Sequence, residues 1–233
     1  MASDTHAGQA VYGNLTLKVY DWYVLGLSNR LAWRCPVSEV IALYDANLAP
    51  RHLDVGVGTG YHLDRAHTHA DQSIALLDLN DKSLGHTARR IARYQPVTYR
   101  RDVLEPIELV RPDGTAEAPF GSIGMSYLLH CLPGPMANKA RAFDHLLPHL
   151  GDDGVLFGAT ILGRGVTANR LARTLMKIYN RKGIFGNEDD GLDELRAQLG
   201  RRFGRVDIAM RGCVALFSAR EPVRRDDRDD ATV

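Results

Sequence analysis

Hydrophobic positions between residues 51 and 162 alternate between two spacings. Short segments typical of strands occur at 52–57, 73–79, 97–102, 120–126 and 154–162, and most of them are largely apolar. Segments with helical spacing lie between them, at 61–69, 82–94 and 137–150, with Gly151 expected to close the last helix. Strands that alternate with helices in this way predict an α/β fold, in which right-handed crossovers place helices on both faces of a parallel sheet.

The two ends of the chain have other patterns. A helix is predicted at 191–202, followed by strands at 205–210 and 214–219 that only Arg211-Gly212-Cys213 connects. A link this short permits only an antiparallel hairpin, so the last strand should run against the others. Before the sheet, apolar and aromatic residues recur at helical spacing over 11–47, with a break at Cys35-Pro36. Two or three helices are therefore expected there.

The chain length allows one sizeable domain. With 233 residues and 45% hydrophobic content, we predict a single domain over 11–221. It divides into an N-terminal helical part at 11–49 and a sheet core at 50–221. The polar residues 1–10 and the charge run at 222–233 have little to bury and are expected to be disordered.

Charge and cysteine content narrow the classes of function. Lys and Arg number 29 against 28 Asp and Glu, without a long basic stripe, so a nucleic-acid partner is not expected. The three cysteines are far apart and outside any C-x-x-C spacing, which favours a reducing cytoplasm over a disulfide framework or a zinc site. No apolar stretch approaches 18 residues and no secretory leader is apparent, so neither a membrane span nor export is expected.

The strongest chemical signal is the segment from Asp54 to Gly60. Gly56, Gly58 and Gly60 follow a strand and precede a helical segment, and glycine permits both positive φ and close approach of the backbone to a ligand. A dinucleotide-binding turn has the pattern G-x-G-x-x-G, whereas here the third glycine comes one residue earlier and Asp54 precedes the first. A carboxylate repels a pyrophosphate and attracts an amine. The segment therefore favours S-adenosylmethionine, which has an amine, a sulfonium and no phosphate.

Two further acids are expected at the same edge of the sheet. Asp78 ends the second predicted strand and Asp102 ends the third, and open parallel sheets bind ligands beyond the carboxyl ends of their strands. Asp78 can accept hydrogen bonds from both ribose hydroxyls and Asp102 from the adenine amine, with Leu79 and Val103 covering the faces of the base. A single aspartate at a strand end is more often a helix cap or turn residue. Three such acids behind one glycine turn favour a cofactor site.

The order of these motifs resembles that of the class I S-adenosylmethionine-dependent methyltransferases. The similar part runs from 51 to 220 and contains Asp54-x-Gly56-x-Gly58-x-Gly60, Asp78, Asp102-Val103 and Tyr127-Leu128-Leu129-His130-Cys131-Leu132-Pro133. The last stretch is similar to the fourth-strand motif of small-molecule members. The resemblance implies a Rossmann-like sheet of seven strands with one antiparallel strand, S-adenosylmethionine as cofactor and S-adenosylhomocysteine as product. Ser126 belongs to the implied cofactor-binding set. Because metal-dependent members carry aspartate at the position of Ser126, no metal is expected.

Candidate residues for the methyl acceptor lie in two places. The family resemblance puts the loop with Tyr127 and His130 beside the transferring methyl group. Because the pKa of histidine is ordinarily near neutrality, His130 is the candidate general base for a phenol or enol, and a structural role for it stays equally open. In the N-terminal part, Tyr20, Tyr23 and Trp33 are predicted to line a helical lid, where aromatic faces can hold a ring near the sulfonium. Packing on the sheet explains each of the three equally well.

These features predict a methyltransferase that moves a methyl group to an oxygen, nitrogen or carbon of a small acceptor. An aromatic or heterocyclic compound of specialised metabolism is expected. One alternative is a nicotinamide-dependent oxidoreductase, against which the glycine spacing and Asp54 count. Another is a non-catalytic, methyltransferase-like partner subunit, against which the intact turn and acids count. The acceptor and the oligomeric state stay open, a homodimer included.

Overall fold

Seven strands form one sheet in the computed structural model, which describes residues 29–68 and 71–223. They are β1 Arg51–Val55, β2 Ser73–Asp78, β3 Val97–Arg100, β4 Phe120–Ser126, β5 Leu150–Ile161, β6 Phe203–Arg211 and β7 Val214–Pro222. Their order in the sheet is β3-β2-β1-β4-β5-β7-β6. β7 is antiparallel to both β5 and β6, and the other neighbours are parallel. The predicted Rossmann-like sheet with one reversed strand is confirmed.

Helices cover both faces of this sheet. They are α1 Asn29–Leu31, α2 Val37–Asn47, α3 Tyr61–Arg65, α4 Asp81–Arg90, α5 Met136–Lys139, α6 Arg141–Leu146, α7 Arg170–Arg181 and α8 Leu192–Gly200. Short 3-10 helices lie at Ala92–Tyr94, Leu129–Cys131 and Leu147–His149. Buried residues of α2, α3, α4 and α7 join one apolar core, and those of α5, α6 and α8 join the other. No helix in the described ranges is both long and apolar enough to cross a bilayer.

Neighbouring residues of the central strands belong to different cores. Leu77 lies in the same core as Phe143 of α6, whereas Leu76 lies in the core that contains Val40 of α2. Strands whose two faces are both covered can be apolar at successive positions. This is the physical reason why the sequence contains continuous apolar runs rather than a strict alternation.

The segment 137–150 is not the single helix that the sequence predicted. It consists of α5, α6 and the 3-10 helix Leu147–His149. Pro148 has no backbone N–H to donate along a continuing helix. Leu150 already pairs with Phe120 as the first residue of β5, so the predicted closure at Gly151 was wrong.

The described residues extend slightly past the predicted end of the core. β7 continues to Pro222, and the N–H of Val223 donates to the carbonyl of Arg202 at 2.8 Å. Residues 1–28 and 224–233 lie outside the described residues. The predicted lid residues Tyr20 and Tyr23, the predicted disordered N-terminus and most of the charged tail are therefore among the residues that the structure does not describe.

Candidate functional site

The three glycines after β1 all have positive φ, at +68° for Gly56, +52° for Gly58 and +69° for Gly60. A Cβ on Gly56 would lie 2.8 Å from Cδ1 of Leu128, and one on Gly60 would lie 2.6 Å from Cγ2 of Thr87. A Cβ on Gly58 would meet no atom within 4 Å. Gly56 and Gly60 are thus required because a Cβ at either position would clash with a neighbouring side chain of the protein. Gly58 instead leaves its backbone open to a ligand.

Asp78, the last residue of β2, is joined to this turn. Its Oδ1 accepts the N–H of Asn80 at 2.8 Å, and the backbone N–H groups of Val57 and Gly58 also bond to the carboxylate. Burial raises the pKa of Asp78 to about 6, although these hydrogen bonds act in the opposite direction, and the charge of Asp54 adds to the rise. The turn and the end of β2 therefore present a desolvated carboxyl beside Gly58.

Asp54 lies within β1 rather than in the turn that follows it. Its side chain is buried, and its Oδ1 accepts a hydrogen bond from the hydroxyl of Tyr44 at 2.7 Å. Nε2 of His52 lies 3.7 Å from the same oxygen. Burial and the facing carboxylate raise the pKa of Tyr44 well above its ordinary value. Asp54 is thus bonded to a side chain of the core. The sequence did not predict this partner, because Tyr44 lies in the region 11–47, where its spacing indicated only the apolar face of a helix.

The other predicted cofactor residues lie at, or one to three residues beyond, the carboxyl ends of their strands. Asp102 is two residues past the end of β3, whereas the sequence predicted it as the last residue of that strand. Oδ1 of Asp102 accepts the N–H of Leu104 at 2.9 Å, as in an Asx turn. Val103 is buried and Leu79 is half-buried. Ser126 is the last residue of β4. Because the carboxyl ends of parallel strands meet at one edge, the structure brings these residues to the same edge as Asp78.

The chain turns sharply after β4. Tyr127 has a φ of +60°, which is uncommon for any residue except glycine, and its N–H donates to the carbonyl of Ala159 at 2.6 Å. The centroid of its ring lies 5.9 Å from those of both His62 and His130. Strained backbone of this kind persists where the surroundings hold it, and it is frequent at functional sites.

His130 is buried, with 3% of its surface exposed. Its ring meets the ring of Phe185 edge-on at a centroid distance of 4.5 Å, and its Nδ1 accepts the N–H of Ile161 at 3.4 Å. Burial and the nearby ammonium of Lys139 lower the pKa of His130 to about 3. Because Nδ1 accepts a hydrogen bond, the neutral ring carries its proton on Nε2. Both features weigh against the predicted role of His130 as a general base.

Phe185 makes a second aromatic contact, with Trp33. Trp33 is buried, and its ring lies 6.0 Å from that of Phe185. Of the predicted lid residues, Trp33 is the one that the described ranges contain, and its burial agrees with a packing role. Phe185 also lines a cavity of about 600 Å³. It is lined by Gly134, Pro135, Lys177, Asn180, Arg181, Phe185, Gly186, Glu188 and Asp189.

Comparisons with known proteins agree with this geometry. A family model described as a methyltransferase domain matches residues 53–156. The demethylluteothin O-methyltransferase of Streptomyces thioluteus is 42% identical over 91% of this chain and 90% of its own. The physcion biosynthesis cluster O-methyltransferase of Aspergillus chevalieri is 36% identical over 94% of this chain and 96% of its own.

A solved structure with the same fold is that of N-methyltransferase NodS from Bradyrhizobium japonicum in complex with S-adenosyl-L-homocysteine. It is similar with a TM-score of 0.56 over 80% of this chain and 86% of that one, at 13% sequence identity. At this identity the likeness bears on the fold alone.

Proposed function

Since the chain belongs to the class I S-adenosylmethionine-dependent methyltransferases that act on small molecules, we propose that it methylates a hydroxyl oxygen of an aromatic or heterocyclic metabolite. The observation that carries this proposal is the similarity, over nearly the whole chain, to two relatives that are both named O-methyltransferases. The near balance of basic and acidic residues supports a small acceptor over a nucleic acid.

The residues at the carboxyl edge fit the cofactor. Gly58 keeps free the space that a Cβ would fill, and Asp78 brings a half-buried carboxylate beside it. In our proposal Asp78 accepts hydrogen bonds from the ribose hydroxyls, while Leu79, Asp102 and Val103 surround the adenine. S-adenosylmethionine, when bound, supplies a methyl group on a sulfonium. The acceptor oxygen gains this methyl group as the carbon–sulfur bond breaks, and its hydroxyl proton passes to solvent, so the positive charge of the sulfonium is lost. The main task of the protein is then to align the acceptor, a source of acceleration worth on the order of 7–11 kcal/mol for well-oriented reactants.

Asp54 has an indirect role in this proposal. Its carboxylate already accepts the hydroxyl of Tyr44, so it holds that side chain in place and adds negative charge near the cofactor. An electrostatic influence of this kind is supported by the contribution of Asp54 to the raised pKa of Asp78.

For His130 we propose a hydrogen-bond donor in place of the general base that the sequence predicted. Nδ1 already accepts the amide of Ile161, and the pKa of about 3 keeps the ring neutral at physiological pH. The remaining group is Nε2–H, which donates to an oxygen of the acceptor and orients it. A neutral hydrogen bond of this type contributes about 0.5–1.5 kcal/mol.

Substitutions of His130 distinguish the two roles. His130→Gln keeps an N–H donor near the position of Nε2, and we expect its kcat/KM to stay within about threefold of the wild-type value. His130→Leu removes the donor and should lower kcat/KM about tenfold, which corresponds to about 1.4 kcal/mol. The measurement is steady-state methyl transfer between pH 6 and 9. A base role for His130 would instead appear as an equal, larger loss in both variants.

A direct assay tests the proposed function. The protein is incubated with methyl-labelled S-adenosylmethionine and a panel of hydroxylated aromatic and heterocyclic compounds, each matched by an amine analogue. Calorimetry with S-adenosylhomocysteine measures cofactor binding separately. We expect labelled methyl ethers. Label found on nitrogen or carbon would contradict the choice of oxygen, and cofactor binding without any methylated product would favour a partner subunit.

A further inference from the structure

A buried ion pair is bonded to Gly186, the residue after Phe185. Nζ of Lys139, at the end of α5, is 2.5 Å from Oδ2 of Asp190, and the exposed fractions of the two side chains are 0% and 1%. The same ammonium donates to the carbonyl of Gly186 at 2.7 Å, and the N–H of Gly186 donates to the carbonyl of His130 at 2.8 Å. Together these contacts connect α5, the loop after β4 and residues 185–190, which we call the 185–190 segment.

Other polar contacts fix this segment to the end of β5 and to α7. The side-chain amide of Asn187 donates to the carbonyl of Ile161 at 2.9 Å, and its oxygen accepts from the amide of Asn180 at 2.9 Å. The carbonyl of Asp190 accepts the N–H groups of Gly163 and Arg164, each at 3.0 Å. The segment is thus bonded to α5, to α7 and to the residues around the end of β5. We therefore expect a displacement of Asp190 to move Phe185 as well.

Stability alone is a weak reason for this pair. The desolvation of two charges often exceeds their attraction, so a well-packed apolar pair of similar size is frequently as stable or more stable. Burial lowers the pKa of Lys139 and raises that of Asp190, so desolvation acts against the charged form of each residue. An ion pair, unlike an apolar pair, makes a directional contact. Here the ammonium of Lys139 makes it to both the carboxylate of Asp190 and the carbonyl of Gly186.

We propose that Lys139 and Asp190 are positioning residues for methyl transfer, because their buried contact fixes the 185–190 segment and thereby holds Phe185 against the ring of His130. The proposal rests on the proposed function, in which Nε2–H of His130 donates to the acceptor. The ammonium of Lys139 has a second effect, since its charge helps to keep the ring of His130 neutral.

The main test replaces both charges together. Lys139→Met combined with Asp190→Leu leaves no unpaired buried charge, so the folded state should be retained. We expect kcat to fall about tenfold, which corresponds to about 1.4 kcal/mol, with the Kd for S-adenosylhomocysteine unchanged within about twofold. Arg202→Met with Asp144→Leu is the control, because this partly buried pair (Nη2 to Oδ2, 2.6 Å) joins α6 to the end of α8 instead. A double variant of Lys139 and Asp190 with wild-type kcat and acceptor KM would overturn the proposal.

A second variant keeps the proposal testable if the first does not fold. Gly186→Ala leaves both charges in place, but its Cβ would lie 2.8 Å from the carbonyl oxygen of Leu132 and must displace the segment. We expect a similar loss of kcat, and wild-type kinetics in Gly186→Ala would count decisively against a positioning role.

An NMR measurement separates this proposal from the assignment of function, because it needs no acceptor. The edge-on ring of Phe185 shifts the carbon-bound proton signals of the His130 ring, and we expect this ring-current shift to shrink in each variant that folds. Unchanged signals would overturn the positioning role, whereas a failure to methylate any hydroxyl in the wild-type protein would overturn only the proposed function.

Discussion

Gly58→Ala is expected to weaken the binding of S-adenosylmethionine at least about 100-fold, or about 3 kcal/mol, while the protein stays folded. The added methyl group would meet no protein atom within 4 Å, so it would occupy the space that we assign to the cofactor. The φ of +52° adds backbone strain of about 1–2 kcal/mol to the folded state. Calorimetric titration with S-adenosylmethionine and S-adenosylhomocysteine gives the Kd, and chemical denaturation gives the free energy of unfolding.

Gly114→Ala is the matched control for this variant. Gly114 has a φ of +82° and likewise no atom within 4 Å of an added Cβ. It lies near Glu117, which pairs with Arg51 at the start of β1, whereas Gly58 follows the end of that strand. The two substitutions share the backbone strain, and only Gly58→Ala should affect binding. A wild-type Kd in Gly58→Ala would place the cofactor elsewhere.

The architecture was predictable because its physical cause is local. A strand covered on both faces is a continuous apolar run, and such runs end where glycine, proline or polar residues begin. The fourth strand was accordingly predicted at 120–126, where the structure has Phe120–Ser126. Because parallel strands end at a common edge, Asp78 and Asp102 could be assigned to one region without knowledge of any contact, whereas Ser126 was added only by the family resemblance.

The contacts within the site were not predictable, because they join residues that are distant in the sequence. Lys139 and Asp190 are 51 positions apart and look like exposed residues of a helix and a loop. Tyr44 had the spacing of an apolar core residue, and nothing local indicated that its hydroxyl would bond to Asp54. The pKa of His130 was likewise assumed to be near neutrality, since burial and a neighbouring ammonium are properties of the folded chain.

Asp78→Asn is expected to raise the Kd for S-adenosylmethionine about 100-fold at pH 7.5, because two charge-assisted hydrogen bonds of about 1.5–3 kcal/mol each become weaker neutral ones. The free energy of unfolding should not fall. An amide oxygen can still accept the N–H of Asn80, and the substitution removes a carboxylate whose pKa burial has raised to about 6. Loss of binding without loss of stability is the behaviour of a group kept for its ligand rather than for the fold.

If Asp78 binds the ribose, the affinity for S-adenosylmethionine should depend on pH, which is not expected of a residue with a structural role alone. A carboxyl with a raised pKa is ionised above about pH 6 in the free protein and becomes protonated below it. Since the ionised form accepts the ribose hydroxyls, binding to the wild-type protein should be constant above pH 7. At pH 5 it should be about tenfold weaker, because only about one-tenth of the carboxyl is then ionised. Titrations in Asp78→Asn should show no such step, and Asp81→Asn, at an exposed position three residues later, should keep it. A wild-type Kd that stays flat from pH 7 to 5 would rule out the bonding of ribose to Asp78.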